Sequence, residues 1–343
     1  VKALVLEKYK ELVYRDVPEP RIGPEDALVR VRACGICGSD IHGMDGSSGR
    51  RIPPIIMGHE AAGEIVEIGA TEAGWQPGDR VTFDSTIYCG TCSFCRRGEI
   101  NCCDNRRVVG VSCGEYRQNG ALAEYVAVPQ HILHRLPPGL SFERASFVEP
   151  ASVALHAVNL TPISMNDSAV VVGSGMIGLL IIQTLRAAGC GQITAVDVDA
   201  GRLDLACRLG ADQGVRSEGA GSLEQILRYT DNRGADVVFD VAGLDATVNL
   251  SVRSARKGGV VTLVGNLAAN VLLPLQLVVT RGLRLQGSPA SAGEYPAALS
   301  MINRGTIHVD ELISAAAPLA EGAVWFDRLY RKESGLLKVI LQP

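Results

Sequence analysis

Through the first 150 residues, apolar positions come in short runs broken by glycine and proline. Val1–Leu6, Ala27–Ala33, Ala62–Ile68, Arg80–Phe83 and Leu122–Val128 each read as a strand bounded by turn residues. Such an array predicts a barrel-like, mainly β domain carrying long loops. From Ser168 the texture changes. Ala169–Val172 is a buried-type strand, Met176–Ala188 has helical character, Ile193–Val196 is again a strand and Ala200–Leu209 a helix. Val237–Val241 and Gly259–Val264 continue as strands, and the tail adds a helix at Pro296–Arg304 and a strand at Leu337–Leu341. Alternation of strand and helix predicts a parallel sheet wrapped by helices.

A chain of 343 residues is long for one domain, and two are expected. The 47% hydrophobic and 20% charged content suits a globular protein with a sizeable core. A net charge of −4 argues against a nucleic-acid binder, which needs a basic face to neutralise phosphates. No apolar run is long enough to span a bilayer, and the first residues lack the basic flank and cleavage site of a signal peptide.

The first chemical signal is Gly173-x-Gly175-x-x-Gly178, directly after a predicted strand and directly before a predicted helix. Glycine is needed for the tight turn at Gly173, for backbone approach to a pyrophosphate at Gly175, and for close helix–strand packing at Gly178. The helix opening at Met176 and Ile177 then offers free N–H groups and a partial positive charge to phosphates. Asp197, at the end of the next strand, supplies the expected acidic residue about twenty positions on. Its carboxylate accepts ribose hydroxyls and repels a 2′-phosphate, so NAD is expected rather than NADP. Arg202 could stack on the adenine or pair with Asp199, and Val241, Val264 and Gly265 are further candidates for cofactor binding.

The ten cysteines are clustered, which separates metal binding from a secreted disulfide framework and points to the cytosol. Cys89, Cys92, Cys95 and Cys103 form C-x2-C-x2-C-x7-C, four thiolates able to enclose a tetrahedral structural zinc. Iron–sulfur clusters also take four cysteines but use other spacings, and Cys102 competes for the fourth place. Little apolar sequence lies between Tyr88 and Asn105, so the ion is expected to hold this lobe together. A second set, Cys37, His59, Glu60 and Glu149, combines soft, borderline and hard donors for a zinc that stays open to substrate.

In order and spacing, the Gly58-His59-Glu60 block, the four-cysteine lobe and the glycine fingerprint resemble the medium-chain zinc alcohol and polyol dehydrogenases over essentially the whole chain. The resemblance implies an α/β Rossmann domain inserted in a GroES-like, mainly β catalytic domain. The boundaries expected are residues 1–152, 153–286 and a returning segment 287–343, with the active site in the cleft between the domains. It also implies that Cys37, His59 and Glu60 ligate the catalytic zinc, with Glu60 exchanging on and off. Zinc would lower the pKa of the substrate hydroxyl. Ser39 would take its proton and pass it through the nicotinamide ribose to His42.

Glu149-Pro150 is similar to sorbitol and other polyol dehydrogenases, where ethanol-type enzymes place a cysteine and threonine dehydrogenases an aspartate. The expected substrate is therefore a small hydroxylated molecule: a polyol, sugar or sugar-alcohol phosphate. L-threonine and simple secondary alcohols are the alternatives. Gly43 replaces the tyrosine of sorbitol dehydrogenases, and Ala290-Ser291 their arginine-tyrosine pair, which predicts room for a bulkier group. Arg50 and Arg51 could read a phosphate or be a solvated basic pair. A zinc-free quinone reductase or a non-enzymatic NAD sensor shares the fold but needs neither the metal ligands nor Ser39 and His42. The resemblance also implies a homodimer or homotetramer joined through edge strands of the parallel sheet near Gly259 to Leu285, where Leu272, Leu273, Leu275, Leu277, Val278 and Val279 are dense, although such a stretch is also what a buried strand or helix would show.

Overall fold

The computed structural model describes residues 1–70, 74–113, 116–217 and 221–343. They form two compact units. The first comprises Val1–Glu149, Tyr295–Gly305 and Val309–Pro343, the second Pro150–Glu294 and Thr306–His308.

In the first unit the strand Asp26–Gly35 is central to a seven-stranded sheet. It pairs antiparallel with Glu60–Ile68, Tyr125–Pro129 and Lys338–Gln342. Leu4, Val29, Ile65, Phe83, Leu122 and Leu341 are among the side chains that fill its core. The register sets Gly35 opposite Glu60. A Cβ at Gly35 would lie 2.4 Å from Glu60 Oε2, so glycine is required for that carboxylate to fold over the strand. The predicted strand Leu122–Val128 begins later, at Tyr125; Leu122 and Ala123 instead bond the first strand, Leu4 N–H to Leu122 O at 2.8 Å and Ala123 bridging Ala3.

The second unit carries six parallel strands, β1 (Ser168–Val172), β2 (Gln192–Asp197), β3 (Gln213–Arg216), β4 (Ala235–Asp240), β5 (Ala255–Leu263) and β6 (Arg284–Gly287). Their order is β3-β2-β1-β4-β5-β6, the doubly wound dinucleotide-binding arrangement. Val170, Val196, Val238 and Val261 bury the sheet, as continuous apolar strands covered on both faces require. Asp236 of β4 accepts Ser168 N–H and Oγ–H of β1 at 2.9 and 2.7 Å and bonds Arg256 of β5, fastening three strands at one end. This unit runs to Glu294 rather than to 286. Ser288 N–H reaches Leu263 O at 3.0 Å, which ties the start of the segment after β6 to the sheet, and Glu294 Oε1 meets His156 Nδ1 of the helix Val148–Leu160 at 2.9 Å. Among the described residues no helix is long and apolar enough to cross a membrane.

Candidate active site

The strand Asp26–Gly35 ends two residues before Cys37, which caps a short helix, Gly38–Met44. Asp40, the third residue of that helix, accepts Cys37 N–H through Oδ2 at 3.3 Å. Glu60 opens the neighbouring strand, with His59 just before it. These two strand ends bring Cys37, His59 and Glu60 together, with one ligand atom of each within 4.8 Å of the others.

Three donors of this kind suit a catalytic zinc, which takes three protein ligands and keeps its fourth position for substrate. Glu149 stands outside the trio. Its Oε1 accepts the Ser85 hydroxyl at 3.1 Å, and burial raises its pKa, with the charge of His59 opposing and that of Glu60 adding. Three of the four expected ligands are thus gathered, and the fourth, the Glu149 carboxylate, is held by Ser85.

Charges that the sequence did not single out surround the trio. Asp40 is wholly buried, its Oδ1 2.9 Å from Arg51 Nη2 and 3.5 Å from His59 Nδ1. The latter distance is long for a hydrogen bond. Burial opposes ionisation of Asp40, but His59 and Arg51 hold its carboxyl far below the usual range. Burial likewise works against a charged His59, yet Asp40 and Cys37 raise it well above the ordinary imidazole value. On the other side Lys338 donates to Glu60 Oε2, and to Ile36 O at 3.1 Å. Burial lowers the pKa of Lys338, and Glu60 and Cys37 more than offset it.

Arg51 corrects two expectations. It is 2% exposed and bonded to Asp40 and, at 3.2 Å, to Ser39 Oγ, so it is neither a solvated basic residue nor a surface phosphate reader. Arg50 is exposed. Nor does Gly43 leave open room, because a Cβ there would lie 2.1 Å from Arg51 Cγ. The volume that an aromatic would take is filled by the arginine stem. Ser39 is exposed and His42 half-buried. Three residues apart on one helix, they share a face.

In the other cluster, the sulfurs of Cys89, Cys92, Cys95 and Cys103 lie within 4.8 Å of one another. Cys92 Sγ and Cys95 Sγ are 3.5 Å apart, and Cys89 Sγ and Cys95 Sγ 4.0 Å. A tetrahedral zinc with sulfur at about 2.3 Å places its ligands about 3.8 Å apart, so the cage fits the ion. Hydrogen bonds from Thr91 bring Cys89 down to about 5, whereas desolvation and the neighbouring thiols push Cys95 up to about 12. Four thiolates this close need a cation. Cys103 N–H and Sγ both belong to the cage turn, while Cys102 is exposed.

In the second unit the glycine turn has the backbone conformation and close approach that its sequence predicts. Gly173 has φ +103°, and a Cβ at Gly178 would lie 1.9 Å from Gly173 O. A Cβ at Gly175 would meet nothing within 4 Å, so the loop there faces free space. Gly175 also precedes the helix Met176–Ala187, and no side chain caps that N-terminus. An uncapped helix start behind an open glycine turn fits a pyrophosphate.

Asp197 ends β2, with Oδ2 accepting Ser174 N–H at 2.7 Å and Oδ1 accepting Asp199 N–H at 3.0 Å. It therefore fastens the glycine turn, and each oxygen keeps a lone pair for a ribose hydroxyl. Asp199 caps the next helix by accepting the backbone N–H of Arg202 at 2.9 Å. Val241 N–H bonds Val172 O, and the N–H groups of Val264 and Gly265 bond Asp240 O. All three residues thus sit where β1, β4 and β5 end, the side of such a sheet on which ligands bind.

Residues 23–138 match the model of the alcohol dehydrogenase GroES-like domain, and residues 177–304 that of the zinc-binding dehydrogenases. The chain is 33% identical over 340 residues to a D-arabitol-phosphate dehydrogenase of Enterococcus avium, covering 97% of this chain and 94% of that one. A zinc-binding dehydrogenase of Sinorhizobium meliloti 1021 bound to NADP superposes with a TM-score of 0.91 at 33% identity, over 100% of this chain and 99% of the other. Galactitol-1-phosphate dehydrogenase from Escherichia coli gives 0.91 at 27% identity, over 100% of both chains.

Proposed function

The chain belongs to the medium-chain zinc-dependent polyol dehydrogenase family, and from that premise we propose that it moves hydride from a secondary alcohol of a polyol, sugar or sugar-alcohol phosphate to NAD. The observation that carries the reading is the gathering of Cys37, His59 and Glu60, with Glu149 held by Ser85. A carboxylate at position 149 in place of a thiol leaves a harder and more positive site, suited to a diol that offers two oxygens.

When bound, zinc supplies acidification of a hydroxyl at its open position, and NAD supplies the hydride acceptor. Cys37, His59 and Glu60 would hold the catalytic ion, and the four-cysteine cage a structural one. Ser39 accepts the substrate's hydroxyl proton and relays it toward His42 on the same helix face. Asp40 steadies both Cys37 and His59 from beneath. Gly173, Gly175 and the helix start at Met176 receive the pyrophosphate, and Asp197 receives the adenosine ribose. The clustered reduced cysteines support a cytosolic setting, and exposed leucines near β6 support a homo-oligomer.

A screen of NAD reduction over polyols, polyol phosphates, cyclitols, L-threonine, ethanol and 2-propanol tests the reading. A polyol or its phosphate should give the highest kcat/KM. Ethanol or 2-propanol as the best substrate, with polyols inert, would remove the polyol assignment.

A further inference from the structure

The arginine beneath the site is placed to do more than balance a buried charge. Arg51 Nη2 donates to Asp40 Oδ1 at 2.9 Å and to Ser39 Oγ at 3.2 Å. Asp40 in turn takes the N–H of Cys37 and faces the ring of His59. One guanidinium nitrogen is therefore the common origin of two metal-binding residues' support and of the relay hydroxyl's orientation. Its seat exists only because position 43 is glycine, since the arginine stem runs across that Cα.

A serine hydroxyl has one proton to donate and two lone pairs to accept with. Arg51 has no acceptor, so its bond to Ser39 occupies one of those lone pairs and cannot be reversed. What remains on Ser39 is one lone pair and one O–H. The hydroxyl is then held in one orientation: in alcohol oxidation the substrate O–H bond breaks as its proton joins the free lone pair, while the serine's own proton leaves toward His42, and reduction runs the same path in reverse. The substrate's hydride, with its electron pair, goes to NAD.

We propose that Arg51 is the positioning residue of the relay, locked in place by Gly43, which directs Ser39 and, through Asp40, sets His59 and Cys37. The proposal rests on the dehydrogenase reading given above.

The test uses the zinc-loaded protein. Because removing Arg51 outright strands the buried Asp40, the variants are Arg51→Lys, which keeps charge but loses the fork, and Gly43→Ala, which evicts an unchanged arginine. Loss of outer support to metal ligands typically costs 10- to 100-fold in affinity or activity. Both variants should release the catalytic zinc to a chelator about tenfold faster or more, and the cobalt-substituted proteins should show shifted visible spectra. With an active substrate, kcat should fall about tenfold or more while the KM for NAD stays within about twofold. In a Ser39→Ala background Arg51→Lys should lower kcat far less than in the parent, since directly coupled residues are non-additive. Should the parent lack dehydrogenase activity, faster zinc release in both variants still upholds the positioning role and only the functional reading falls. Parental zinc-release rates and cobalt spectra in both variants would overturn the proposal, as would full additivity with Ser39→Ala in an active enzyme.

Discussion

Lys338 Nζ and Glu60 Oε2 form an ion pair between side chains only 4% and 2% exposed. The pairing joins the last strand to the strand that opens with the metal-binding block. Breaking a buried pair by removing one partner costs about 3–5 kcal/mol, because a charge is left without compensation, whereas removing both charges is often tolerated. Lys338→Met should therefore destabilise strongly in denaturant, and Lys338→Met/Glu60→Gln should recover much of the loss. The pKa of Lys338 is raised on folding, so its stabilisation is complete below the unfolded value near 10.5 and fades as pH climbs through the higher folded value. Equal stability of the single variant and the parent at pH 7 would show that the pair contributes nothing.

The two clusters of metal donors should be separable by substitution. About two zinc ions per chain are expected by metal analysis, one open and one fully enclosed. Cys37→Ala should abolish turnover and lower zinc by about one while leaving the melting temperature close to parental. Cys92→Ala should lower the melting temperature markedly, since apart from Asn101 and Cys103 the residues between Tyr88 and Asn105 are not buried and have little packing of their own. If Cys37→Ala unfolded the chain and Cys92→Ala left it stable but inactive, the two roles would be exchanged.

What the sequence made legible was local. The glycine turn, β1 and β2 and the cysteine cage depend on residues close in the chain, and each appears within a residue or two of its expected place. The helices Val148–Leu160 and Asp245–Ser254 went unread. The first is apolar around most of its circumference, so no amphipathic stripe marks it. The second mixes Thr, Asn, Ser and Val, weak helix formers that tertiary packing overrides. Asp40 could have been found, for it stands three residues after Cys37, the spacing of a helix cap. Lys338 could not, because nothing in one sequence pairs positions 278 residues apart. Arg51 was visible but misread: two adjacent arginines in a loop look solvated until Gly43 is seen to admit one of them.

Asp197 bears on the choice between NAD and NADP, a choice given weight by the relative solved with NADP. A 2′-phosphate would meet the Asp197 carboxylate, which Ser174 and Asp199 hold in place. Each 1.4 kcal/mol of such repulsion is a factor of ten. NAD should be preferred by about 100-fold or more in kcat/KM, and Asp197→Ser should bring the two within about tenfold. The same change frees Ser174 N–H and loosens the glycine turn, so the KM for NAD should rise as well. Equal use of both cofactors by the unaltered protein would refute the assignment.

The proposed assembly is testable at the surface that the second unit leaves exposed. β6 is the edge of its sheet, and an edge strand offers unpaired backbone groups to another copy. Close in sequence, Leu272, Leu275 and Val279 are 79%, 63% and 70% exposed, an apolar stretch of the kind an interface would cover. The helix Leu275–Thr280 has no buried residue at all. A two-fold pairing of β6 with its counterpart would continue the sheet and cover these side chains. The parent should scatter light as a dimer or tetramer at micromolar concentration. Leu275→Arg/Val279→Arg, which touches no residue of the metal clusters, should shift the mass to the monomer while both zinc ions are retained. A parent that is monomeric, or a charged variant with unchanged mass, would place the interface elsewhere.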